Sequence, residues 1–121
     1  GQVDFHDGDE AIAPGITVHR IGGHSKGLQA LRVNTRRGPV VLTSDASHYY
    51  AHMLTGRVFP IVYNVGDVLE GYRKLRRLAP SIAHLVPGHD PLVLDLYPAA
   101  KPGLESWVVR LDAEPKPLPP A

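Results

Sequence analysis

The chain has 121 residues, 43% hydrophobic and 21% charged, with a formal net charge of +1, as expected of one globular domain. That balance gives no electrostatic reason for a nucleic-acid or anionic-membrane partner, and no apolar run reaches the ~20 residues of a membrane span. No cysteine is present, which excludes disulfides and thiolate ligands and fits a cytoplasmic location. The first residue is Gly1 rather than Met, as in a processed piece of a longer protein.

Residues 1–15 are acidic and turn-rich, which predicts a loop or hairpin. Ile16–Ile21 and Leu28–Thr35 read as strands. Arg36-Arg37-Gly38-Pro39 is a turn signal, so the second of these pairs with the apolar run Val40–Ser44 as a hairpin. Ser47 is placed to cap a short helix through Tyr49, Tyr50 and Met53. The clearest helix spans Val65–Ala79, where Val65, Val68, Leu69, Tyr72, Leu75, Leu78 and Ala79 recur at the helical period before Pro80. Ile82–Val86 reads as a short strand and Trp107–Leu111 as a last one. The tail from residue 113 to 121 is proline-rich and expected to be extended or disordered. Together these elements predict an α/β layer of helix on sheet over residues 1–112. With so few helices, one apolar sheet face is left for another half or a partner to cover.

Three residues suited to metal ligation follow predicted strands. His24 lies in the glycine-lined turn Gly22-Gly23-His24-Ser25-Lys26-Gly27, Asp45 closes the apolar run ending at Ser44, and His89 follows Pro87-Gly88. Each has an ordinary alternative: an exposed loop histidine for His24, a helix cap for Asp45. As a ligand, a carboxylate at Asp45 has two oxygens and can bridge two metal ions, which one imidazole nitrogen does not do. Asp90 is an alternative ligand or a hydrogen-bond partner for an imidazole. His48 and His52, four apart, read as an exposed helical pair. His19 and His84 read as hydrogen-bonded structural histidines, and Arg73, Lys74, Arg76 and Arg77 as a solvated helix face. There is no nucleophile elbow, phosphate-cradling loop or dinucleotide fingerprint.

Gly22-Gly23-His24-Ser25-x-Gly27-x-Gln29, then Ser44-Asp45-Ala46, then Val86-Pro87-Gly88-His89-Asp90-Pro91, resemble in that order the metallo-β-lactamase superfamily. The branch of N-acyl homoserine lactonases and related lactone hydrolases fits best. The resemblance implies the C-terminal portion of an αββα sandwich, a mixed sheet with packed helices. It also implies a dinuclear zinc site and attack of metal-bound hydroxide on a lactone or ester carbonyl. By the same resemblance His24 binds one zinc, Asp45 bridges both and His89 binds the second. The branch carries a substrate-polarising tyrosine three residues after the bridging aspartate. That position here is His48, with Tyr49 and Tyr50 beside it, so the hydrogen bond to substrate falls to one of these three. The family's His-x-His-x-Asp-His motif, which supplies its other ligands ahead of the first motif, is not in this chain. Three residues shared between two ions are too few. The 121-residue chain is therefore expected to hold zinc weakly and to hydrolyse lactones negligibly alone. The N-terminal half is the partner this implies. Two further readings stay open: a thioester or ester hydrolase of the same superfamily, and a non-catalytic half-domain that binds or assembles.

Overall fold

The structure, a computed structural model, describes residues 1–120; Ala121, the end of the proline-rich tail, lies outside the described residues. Strands β1 (Glu10–Ala13), β2 (Ile16–Arg20), β3 (Gln29–Thr35) and β4 (Gly38–Leu42) form an antiparallel meander. Strand β5 (Leu85–Val86) adds parallel to β4, giving the order β1-β2-β3-β4-β5. The hairpin expected around Arg36-Arg37 is present, with Thr35 opposite Gly38 and Leu31 opposite Leu42.

Helix α2 (Val65–Leu78) follows the predicted stripe closely. Val68, Tyr72 and Leu75 are buried, while Val65 at its start is exposed. The Asn64 side chain caps it by accepting from the Asp67 N–H, and Pro80 follows its end. Arg32 on β3 donates from Nε to the Leu78 carbonyl, so α2 covers the sheet face that carries Ala30, Arg32, Val41 and Leu85. The basic residues of α2 are only partly a solvated face. Arg73 and Arg77 lie near Glu70, but Lys74 reaches Asp9 and the Arg20 carbonyl, and Arg76 the Met53 carbonyl.

By register, the opposite sheet face carries Ile16, Val33 and Val40 in one row and Val18, Leu31 and Leu42 in the next. Val40 is buried, but Ile16, Leu31, Val33 and Leu42 remain partly open to solvent. The edge strand β1 leaves Phe5 and Ile12 exposed beside it. Nothing among the described helices is long and apolar enough to cross a membrane.

Several expected elements take another form. Helix α1 (Tyr50–Thr55) is not capped by Ser47, whose hydroxyl donates to the Tyr49 carbonyl instead. The Tyr50 N–H is capped by the Asp90 carboxylate, which also accepts from the Leu92 N–H. Asp90 thereby ties α1 to α3 (Leu92–Leu96) and, among the described residues, bonds no imidazole. Ile82–His84 forms a single tight helical turn, and only Leu85–Val86 is strand. Trp107 is exposed, and the segment around it contributes one bridge, Ala99 with Val109, in place of a strand. In the tail, the Lys116 N–H donates to the Leu96 carbonyl and Leu118 packs against the core.

Candidate metal centre

Three loops at one end of the sheet bring the site together, each held by backbone bonds. After β2, the Ile21 and Gly22 N–H groups both donate to the Leu28 carbonyl and close the His24 turn. Gly23 has φ +89°, and a Cβ there would stand 2.7 Å from the Val68 backbone nitrogen, so only glycine lets this turn rest on α2. Its carbonyl accepts from the Tyr63 and Asn64 N–H groups, binding the turn to the irregular segment 56–64.

After β4, Ser44 takes a left-handed φ of 49° and begins the tight turn Ser44–Ala46 that carries Asp45. Asp45 caps no helix; its carboxylate faces histidines. The third loop approaches so closely that a Cβ on Gly88 would lie 2.6 Å from the Ser44 carbonyl oxygen. Two bonds lock these loops: Gly88 N–H to the Ser47 carbonyl and His89 N–H to the His48 carbonyl, each 3.0 Å.

The result is one carboxylate with three imidazoles converging on it. His89 donates from Nε2 to Asp45 Oδ1 at 2.6 Å. His48 Nε2 lies 3.7 Å from the same oxygen, and His24 Nε2 lies 3.6 Å from Oδ2. Asp45, His48 and His89 present ligand atoms all within 4.8 Å of one another. Phe59, buried, stacks on the His48 ring at 3.8 Å and stands beside His24 and His52, forming an apolar wall.

His24 shows what such a cluster lacks. Its Nδ1 donates to the Ile61 carbonyl at 2.8 Å, an acceptor only, so Nδ1 carries a proton. In the neutral imidazole Nε2 is then a lone pair aimed at a carboxylate oxygen. Two acceptors facing each other favour a cation between them, a proton or a metal ion. A carbonyl on the outer nitrogen is also how proteins orient a ligating histidine. The donor set, imidazole nitrogens with one carboxylate and no sulfur, suits zinc. With metal–donor bonds of ~2.0–2.2 Å, tetrahedral donors stand roughly 3.3–3.5 Å apart. The 3.6 and 3.7 Å separations at Asp45 are close to that spacing.

Burial, then the nearby His89, pushes the His48 imidazole below the ordinary histidine range, outweighing the attraction of Asp45. The environment of His48 thus disfavours its charged form even within ion-pair distance of a carboxylate. Burial likewise lowers His52, whose Nδ1 is enclosed without a partner.

The geometry brings together His24, Asp45 and His89, the three strand-exit residues. It corrects the reading of His48 and His52 as an exposed helical pair. His48 precedes α1 and faces Asp45, whereas His52 is on α1 and stacks on Phe59. Tyr49 is exposed, its ring edge-on to His52 at 5.2 Å. Tyr50 is buried with its hydroxyl paired to Tyr97, and burial drives its pKa upward; it is not available to a substrate. His19 bonds Thr17 and Asp9, and His84 bonds Ser81 and the Arg37 carbonyl, both as structural histidines. His84 does so from the helical turn, not from a strand. Phe59 was not singled out by the sequence; a lone phenylalanine before Pro60 carries no signal of the ring it will support.

No family model matches the chain, and no curated protein matches it by sequence. Solved structures do. An N-acyl homoserine lactone hydrolase with the product N-hexanoyl-L-homoserine at its catalytic metal centre is 28% identical, over 69% of this chain and 34% of its own, with TM-score 0.62. A probable metal-dependent hydrolase from Staphylococcus aureus is 17% identical over 76% of this chain and 32% of that one, TM-score 0.62. A dizinc quorum-quenching lactonase is 13% identical over 73% and 31%, TM-score 0.58. The chain spans about a third of the length of the solved structures it matches. Its α/β fold, a mixed five-stranded sheet with packed helices, is metallo-β-lactamase-like and matches part of the fold of these hydrolase structures.

Proposed function

We propose that this chain is the C-terminal part of a zinc-dependent hydrolase that opens a lactone ring of the N-acyl homoserine lactone type. The observation that carries this reading is the convergence of His24, His48 and His89 on the two oxygens of Asp45, with the outer nitrogen of His24 already committed to a carbonyl. Zinc bound there supplies Lewis-acid polarisation of the carbonyl and activation of the attacking water. His24 and His89 approach different oxygens of Asp45, so these three residues would hold the zinc from this side of the site. The remaining ligands come from a preceding half, which also covers the partly open sheet face around Leu31 and Val33. Phe59 keeps water from one side of the His48 ring, which strengthens polar interactions at the site. His48 or Tyr49 donates the hydrogen bond that orients the substrate carbonyl. A cytoplasmic location, on the cysteine-free composition, belongs to the same reading.

The partly open face also favours a second reading, a half-domain that assembles with a partner without catalysis. One experiment separates the two. The chain is mixed with a separately expressed N-terminal half bearing a His-x-His-x-Asp-His motif. The pair is then assayed on acyl lactones, esters and thioesters in the presence of zinc. Lactone cleavage by the pair and not by either half is expected. Preference for thioesters or esters would reassign the substrate. A stoichiometric complex inactive on all three would leave the assembly reading and overturn the hydrolase.

A further inference from the structure

We propose that this chain by itself holds one divalent transition-metal ion, with His48 as a ligand alongside Asp45 and His89. The inference rests on the hydrolase reading only in taking Asp45 to face a metal. Three ligands divided between two ions are too few, but Asp45, His48 and His89 around a single ion meet the three protein ligands of an open zinc site. Their donor atoms already lie within 4.8 Å of one another, so ligation needs only small shifts, His48 inward from 3.7 Å and His89 back from its 2.6 Å contact with Asp45.

Three features of this chain argue that His48 is a ligand and not merely a stacked ring. Its Nε2 lies 3.7 Å from Asp45 Oδ1, too far for a hydrogen bond, although His89 donates to the same oxygen at 2.6 Å. Its ring is held on one side by Phe59 at 3.8 Å and meets His89 edge-on at 4.6 Å, so little rotamer entropy is lost on ligation. Finally, its carbonyl accepts the His89 N–H, so the two rings are referenced to each other through a backbone bond. His24, on the other oxygen, completes the surroundings of the ion or is left for a second one in a longer protein. In this chain the role of donating to a substrate carbonyl then falls to Tyr49.

The test uses the full 121-residue chain, stripped of metal by a chelator. Zinc is titrated in competition with a chromophoric chelator, and cobalt(II) by its visible ligand-field bands. One ion per chain is expected, with bands of tetrahedral intensity. His48→Gln should weaken zinc more than ~10-fold, since even loss of an outer-sphere partner costs 10–100-fold. His52→Gln, whose ring stacks on Phe59 away from Asp45, should stay within about twofold of the parent. A fold-independent reading comes from the unsubstituted chain, where the His48 Nε2 nitrogen resonance should shift on zinc saturation together with that of His89. Two ions held equally, His48→Gln titrating like the parent, or a stationary His48 resonance each overturns the proposal. No ion bound by the chain while the reconstituted pair cleaves lactone also overturns it and leaves the hydrolase standing. One ion bound with an inactive pair does the reverse.

Discussion

Asp45→Asn should abolish metal binding while leaving the chain as stable as before. Asp45 is the one carboxylate to which the three imidazoles converge, and an amide oxygen is neutral and a far weaker ligand. Zinc affinity should fall more than ~100-fold, beyond the 10–100-fold that outer-sphere changes cost. Stability behaves oppositely because of His24. Its Nε2 lone pair faces Asp45 Oδ2 across 3.6 Å, and the Asn amide group offers that lone pair a donor. The His89 hydrogen bond to Oδ1 persists with a carbonyl oxygen. The unfolding free energy of the metal-free variant should therefore lie within about 0.5 kcal/mol of the parent, or slightly above it. Retained stability with lost affinity marks a residue kept for function at some cost to the fold. Competition titration and denaturant unfolding on the same sample measure both. A marked loss of stability, or affinity within ~10-fold of the parent, would show that Asp45 is structural.

Gly88→Ala has the largest expected effect on the fold. A methyl group there would stand 2.6 Å from the Ser44 carbonyl oxygen and 2.8 Å from its carbonyl carbon, both backbone atoms. Ser44 has little freedom to yield, being a non-glycine residue at φ 49° directly after a strand whose last neighbour, Thr43, is fully buried. The loops must part, and the bonds from Gly88 to Ser47 and from His89 to His48 part with them. Overpacking and broken hydrogen bonds together predict a loss of about 3 kcal/mol or more in denaturant unfolding. Metal affinity should fall in the same variant, because those two bonds set His89 against His48 and Asp45. A variant with near-parental stability and affinity would mean the loops are not held as described.

The two variants explain why some of this molecule is legible in its residues and some is not. Helix α2 could be read because its stripe Val68, Tyr72, Leu75 is local and its end is punctuated by Pro80. The His24, Asp45 and His89 positions could be read because each directly follows an apolar or β-type run, and strand exits are where such folds carry their ligands. His48 could not be placed. The start of α1 depends on Asp90, which caps Tyr50 from forty positions along the chain, and no local signal near Ser47 reveals it. Moving the helix start past Tyr49 turns His48 from a helical surface residue into a member of the site. Trp107–Leu111 misled for the opposite reason. Its β-forming residues are real, but apart from the bridge to Ala99 they have no strand neighbour among the described residues. Helix α3 was hidden because five residues after a proline carry too short a pattern to show a period.

Anomalous diffraction would locate the metal. Crystals of the zinc-soaked chain, measured on both sides of the zinc absorption edge, should show one anomalous peak among Asp45, His48 and His89. Donor atoms of those residues should stand ~2.0–2.2 Å from it. A peak confined to other histidines, such as His6 or His84, or no ordered peak near Asp45 at saturating zinc, would mean that Asp45, His48 and His89 are not a metal site.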